Sequence, residues 1–262
     1  MQITKIVQQI GNGGHIYLPK EMVGQKVVVS LIEKKIEEIE EEILSILRPN
    51  LKHIKGVYLY GSYAREEQTA ESDVDILVIT DSKVKIKERV GEYELVSATV
   101  KQIESTIGNN AVLILPILKE AKSILNKGLI EEYRKRALTK KNTKWYIETT
   151  ESSLKLAEDW ISDKDKDSMP NIIYPLVMRL RGLYLIESLV YGKKYSNREI
   201  IRYMVNKGIS QDKARQLYRL YREHRDNKDI SENSLSYEDV DKLYDIVYKY
   251  FQKVKLLWEK LK

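Results

Sequence analysis

The sequence predicts an α+β fold: a mixed sheet with its helices, preceded by a short β segment and followed by an all-α bundle. Three observations predict it. Residues 1–32 alternate apolar and polar side chains around the turn Gly11-Asn12-Gly13-Gly14. Short β-branched and aromatic runs at 56–60, 73–79 and 93–98 are interleaved with segments of helical period. From Ile130 onward almost every apolar residue recurs at helical spacing.

In chain order, ITKIVQQI and HIYLP read as short strands either side of the glycine turn, and Lys26–Leu31 as another. Residues 33–47 read as a helix with Ile or Leu at 36, 39, 43, 44 and 47, stopped at Arg48-Pro49-Asn50. Strands follow at 56–60, 73–79 and 93–98. A helix is expected over 112–125, closing at Gly128. The remainder, with loops near 162–171, 192–197, 206–211 and 226–236, reads as a bundle of about four to six helices. The expected domains are thus 1–32, 33–130 and 131–262.

Composition narrows the chemistry. With 42% hydrophobic residues in 262, the chain can bury a core, so wholesale disorder is excluded. The absence of Cys excludes disulfides, thiolate metal sites and a Cys nucleophile, and three scattered His leave no imidazole cluster. A bound metal would be held by carboxylates, as Mg²⁺ or Mn²⁺ is. No apolar run is long enough to span a bilayer and no secretory leader is visible, so a cytoplasmic location without membrane partners is expected. Abundant Lys, Glu and Ile give a thermophile-like composition. Residues 1–130 carry 17 basic and 18 acidic side chains, whereas 131–262 carry 28 and 21, so the +6 charge lies in the helical half.

The stretch Leu59-Tyr60-Gly61-Ser62-Tyr63-Ala64-Arg65, followed by Ser72-Asp73-Val74-Asp75, carries the chemistry. A strand that ends at Gly61-Ser62 lets backbone amides and a hydroxyl approach phosphate. Asp73 and Asp75 lie at i and i+2 of a strand, so both carboxylates emerge from one face. Side by side they repel unless a divalent cation sits between them, which points to Mg²⁺-nucleotide binding. The constellation resembles the DNA polymerase β superfamily of nucleotidyltransferases, the minimal (MNT) and kanamycin-type enzymes among them. That resemblance implies an enzyme moving NMP, AMP in particular, from NTP to a hydroxyl, with two-metal phosphoryl transfer and release of pyrophosphate. ATP is then the expected substrate. Asp73 and Asp75 would hold the ions, and Gly61 and Ser62 the β- and γ-phosphates. Arg65 would neutralise phosphate, and Ser72 would brace the strand start or touch the nucleotide.

The family also needs a third carboxylate on a neighbouring strand. Glu94 is favoured, with Glu92 on the same strand face as its rival. Glu94 would hold the catalytic ion and orient or deprotonate the acceptor hydroxyl.

Two further resemblances flank this core. IGNGGHIYLPKEMVGQKVVVSL resembles the looped-hinge segment of AbrB/SpoVT-type proteins, which implies an intertwined homodimer, with DNA binding as the alternative. Residues 143–261 resemble the HEPN-type helical domains that accompany minimal nucleotidyltransferases, and Arg219 to His224 satisfies the Arg-x₄-His of HEPN ribonucleases. Leu220 departs from that pattern, which usually has a polar residue after the Arg. Arg215, Arg219 and Arg222 fall at i, i+4 and i+7, with Tyr218 and Tyr221 interleaved: an acceptor or polyanion face, or a solvated surface. Arg179 and Arg181 interrupt an apolar helix and would face the cleft, where triphosphate could pair with them. The acceptor is expected to be RNA or an acidic protein ahead of a polycationic small molecule. The reading from a different class is a toxin–antitoxin or regulatory module that binds nucleotide with little turnover.

Overall fold

The computed structural model describes every residue except 1–4, 6, 12, 29–33, 70–71, 164–168, 194 and 231–233, and only the backbone of 162–163. Two short strands, β1 (Gln8–Ile10) and β2 (Gly13–His15), pair antiparallel across the glycine turn, where Gly11 adopts a positive φ. None of the described residues between 5 and 28 is buried, and Val28 is 92% exposed. The strand expected at 26–31 is not formed over 26–28, which has no ladder partner, and its remainder lies outside the described residues.

Helix α1 (Ile36–Leu47) buries Ile39, Ile43 and Leu47, as its period requires. The chain then enters the sheet through β3 (Ile54–Tyr60), the single-turn helix α2 (Gly61–Arg65), β4 (Val74–Thr80), β5 (Arg89–Val90) and β6 (Tyr93–Thr99). Two helices follow, α3 (Val100–Asn109) and α4 (Ala111–Glu120), and then a last strand, β7 (Lys122–Leu125). The helix expected to run through 125 therefore stops at Glu120. The open edge of β3 takes residues 122–125 into an antiparallel ladder instead, with Tyr58 opposite Ser123. Helix α5 (Lys127–Arg134) then begins at Asn126, whose side chain accepts from the Leu129 N–H, so Gly128 lies inside a helix rather than ending one.

The sheet order is β5-β6-β4-β3-β7, with β4 and β6 parallel and the other pairs antiparallel. Val74, Ile76 and Val78 pack with α1 on one face, together with Tyr93 and Leu95. Tyr58, Leu77 and Ile79 pack on the other, against α3, α4 and the helices beyond. Those helices are α6 (Lys140–Asp163), α7 (Met169–Tyr191), α8 (Asn197–Asn206), α9 (Gln211–Arg225) and α10 (Tyr237–Trp258). Ser196, Ser210 and Ser236 cap the last three by accepting backbone N–H groups. One buried apolar cluster runs from the sheet face through α7 to α10, so the helical half shares a core with the sheet.

Candidate active site

At the end of β3 the chain turns through Gly61, whose φ is +73°. A Cβ there would lie 1.9 Å from Asp75 Oδ2, so only glycine lets this turn press against the carboxylate. Asp73 and Asp75 sit at the start of β4 on the face opposite Val74 and Ile76, which are fully buried against α1. In register, Tyr60 lies opposite Asp75, Asp75 opposite Glu94, and Glu94 opposite Arg89, a row across four strands. Parallel pairing of β4 with β6 thus brings Glu94 to Asp75, while Glu92 pairs with Lys34. Asp73 is ion-paired with Arg89.

Burial and the neighbouring Glu94 push the Asp75 carboxyl up to about 7; Arg65 and Arg225 pull the other way, and Asp73 adds to the rise. The donors are all carboxylate oxygens, suited to a hard divalent cation, and such a cation would relieve the repulsion that raises Asp75. Asp75 and Glu94 fit that role as they stand. Among the described residues no three carboxylate or imidazole groups converge as a ready metal centre, and Asp73 is engaged with Arg89.

The Gly–Ser turn is braced from α4. Gly61 donates its N–H to Glu120 Oε1 at 3.0 Å, and Arg65 Nη1 donates to both Glu120 oxygens at 2.8 and 2.9 Å. Arg65 Nε donates to Glu67 Oε2 at 3.1 Å. The guanidinium expected to meet phosphate is therefore held between two carboxylates of its own chain. Ser72 accepts from the Thr69 N–H at 2.9 Å and braces the loop before Asp73.

The helical half closes over this brace. Tyr195 lies under the Arg65 guanidinium, 5.5 Å from it, and the Ser196 hydroxyl donates to Glu67. Arg225, at the end of α9, is near enough to Asp75 to favour its charged form. Arg215, Arg219 and Arg222 are exposed on α9, while Tyr218 and Tyr221 are buried in the core. Arg219 pairs with Glu223 at 3.7 Å, and His224 stacks on Tyr174 at 4.5 Å. Sequence reasoning missed Glu67, Glu120 and Tyr195. Only Glu120 left a trace, as the lone acid of a mostly apolar helix.

Residues 41–132 match the family model described as Polymerase beta, Nucleotidyltransferase. A Methanocaldococcus jannaschii protein named Putative protein adenylyltransferase is 38% identical over 96 residues, which cover 36% of this chain and 95% of that relative. The chain belongs to the polymerase β nucleotidyltransferase family. It is accordingly an enzyme, a nucleotidyltransferase. The Shewanella oneidensis protein adenylyltransferase MntA is 28% identical over 68 residues, 26% of this nucleotidyltransferase and 47% of MntA, so about half of that relative's length is spanned. Among solved structures, a nucleotidyltransferase-like protein from Exiguobacterium sibiricum aligns at 14% identity and TM-score 0.39, over 85% of this chain and 77% of that one. The spectinomycin adenyltransferase AAD(9) of Enterococcus faecialis, with ATP and spectinomycin, aligns at 15% and 0.42, over 84% and 100%. No helix among the described residues is long and apolar enough to cross a membrane.

Proposed function

We propose that the enzyme transfers AMP from ATP to a hydroxyl acceptor and releases pyrophosphate, with Asp73, Asp75 and Glu94 holding Mg²⁺ or Mn²⁺. The observation that carries this reading is the row in which Gly61 presses on Asp75 while Glu94 lies opposite it. The protein adenylyltransferase names of two relatives favour AMP as the group moved. The bound cations would supply charge neutralisation at the transferred phosphoryl group. Gly61 and Ser62 receive the β- and γ-phosphates, and Ser72 keeps the Asp73 loop in place. Glu94 orients the acceptor hydroxyl and takes its proton as the acceptor oxygen bonds to the α-phosphorus. The net charge of the helical half, with Arg215, Arg219 and Arg222 on its surface, favours RNA or an acidic protein as acceptor over a polycationic small molecule.

Outside the catalytic region, the exposed AbrB-like hairpin supports a homodimer, and the HEPN-like helices serve as the acceptor-facing part of a cytoplasmic enzyme. Transfer of label from α-³²P-ATP tests the central reading. Incorporation that survives Asp75→Asn would overturn the site. The Asp73–Arg89 pair favours a second reading, a regulatory module of toxin–antitoxin type that binds nucleotide with little turnover. In that case nucleotide binds and no label moves.

A further inference from the structure

Arg179 and Arg181 leave α7 in different directions. Arg179 donates to Ser153 Oγ and Thr149 Oγ1 of α6, each at 3.1 Å. Arg181 donates through Nε to the Tyr195 hydroxyl at 2.8 Å and through Nη1 to the Tyr221 hydroxyl, and it lies 5.8 and 5.2 Å from the two ring centroids. Two more guanidinium groups share those rings: Arg65 over Tyr195 at 5.5 Å and Arg225 over Tyr221 at 6.0 Å. Three guanidinium groups therefore gather on two phenols, next to the Gly61 turn that Arg65 and Glu120 brace.

Their charges are not equally matched. Arg65 has Glu120 and Glu67, and Arg225 has Asp226 at 2.7 Å. Among the described residues no carboxylate pairs with Arg181. Its partners are neutral phenols, and burial keeps that of Tyr195 protonated. A buried guanidinium whose partners are neutral is costly unless an anion joins it.

We propose that Arg181 and Arg225 form a phosphate subsite that grips the terminal phosphates of the triphosphate and then the departing pyrophosphate. The proposal rests on the nucleotidyl-transfer reading above and adds to it a grip from the helical half, outside the matched residues 41–132. As the acceptor oxygen bonds to the α-phosphorus, the bond from that phosphorus to the bridging oxygen breaks. The electron pair leaves on pyrophosphate, and the guanidinium groups meet the charge that builds there.

Calorimetry on the full chain with Mg²⁺, using ATP, pyrophosphate and AMP as probes, tests this. Arg181→Met and Arg225→Gln should each weaken ATP and pyrophosphate about tenfold and leave AMP unchanged. Arg225 is 46% exposed, so its variant keeps the fold even if the melting curve shows that Arg181→Met does not. ATP and pyrophosphate affinities within twofold of the parent in a folded variant would overturn the subsite, as would equal losses for AMP. If the parent chain bound neither ATP nor pyrophosphate, the functional reading would fall and the subsite with it. If Asp75→Asn abolished Mg²⁺-dependent ATP binding while both arginine variants bound normally, the subsite alone would fall.

Discussion

At Asp75 the folded chain raises a carboxyl pKa from 3.8 to about 7, by burial first and by Glu94 second. The linkage has a definite sign. The folded state holds the proton more tightly than the unfolded chain, so the contribution is complete below about pH 4 and is lost as pH rises through 7, at about 1.4 kcal/mol for each pH unit crossed. Without divalent cations, stability is therefore expected to fall between pH 4 and 7, and Asp75→Asn should flatten that slope. A melting series over this range, with and without Mg²⁺, checks it. Asp73→Asn should remove Mg²⁺-dependent ATP binding by calorimetry and leave the fold intact, since the exposed pair with Arg89 contributes little to stability. Glu120→Gln keeps an acceptor for the Gly61 N–H but loses the charge that holds Arg65. It should cost about 1–3 kcal/mol in denaturant unfolding, and Glu120→Asp should restore little because the shorter side chain cannot span both partners.

The elements explain why these residues meet. Helix α2 is one turn long and starts at a glycine whose φ is positive, so Gly61→Ala would meet both backbone strain and the Asp75 carboxylate. A melting temperature lowered by several degrees is the expected outcome. At the other end of the chain, the β1–β2 hairpin buries none of its described residues. A chain shortened to begin at Glu33 should keep its melting temperature and lose self-association, as light scattering would report.

For the whole molecule, the even charge of residues 1–130 and the excess of positive charge in 131–262 separate two surfaces. Charge reversal at Arg219 and Arg222 should weaken binding of an anionic acceptor and reduce its salt dependence, without altering Mg²⁺-nucleotide affinity. Loss of nucleotide binding with acceptor binding retained would assign that face to the triphosphate instead.

The sequence by itself determined what is local. Gly61-Ser62 closes a strand, Asp73 and Asp75 share a face, and the helical period of α1 and of the second half follows from residue spacing that needs no distant partner. Only the tertiary structure decided what depends on pairing across the chain. Residues 122–125 became a strand because β3 had an open edge. Glu94, not Glu92, came opposite Asp75 because β6 runs parallel to β4 in that register. On α9, spacing alone gave Arg215, Arg219 and Arg222 one common face, but burial of Tyr218 and Tyr221 left those arginines in solvent and brought Arg225 near Asp75. Periodicity tells which residues share a face; what that face meets depends on contacts between residues far apart in the chain.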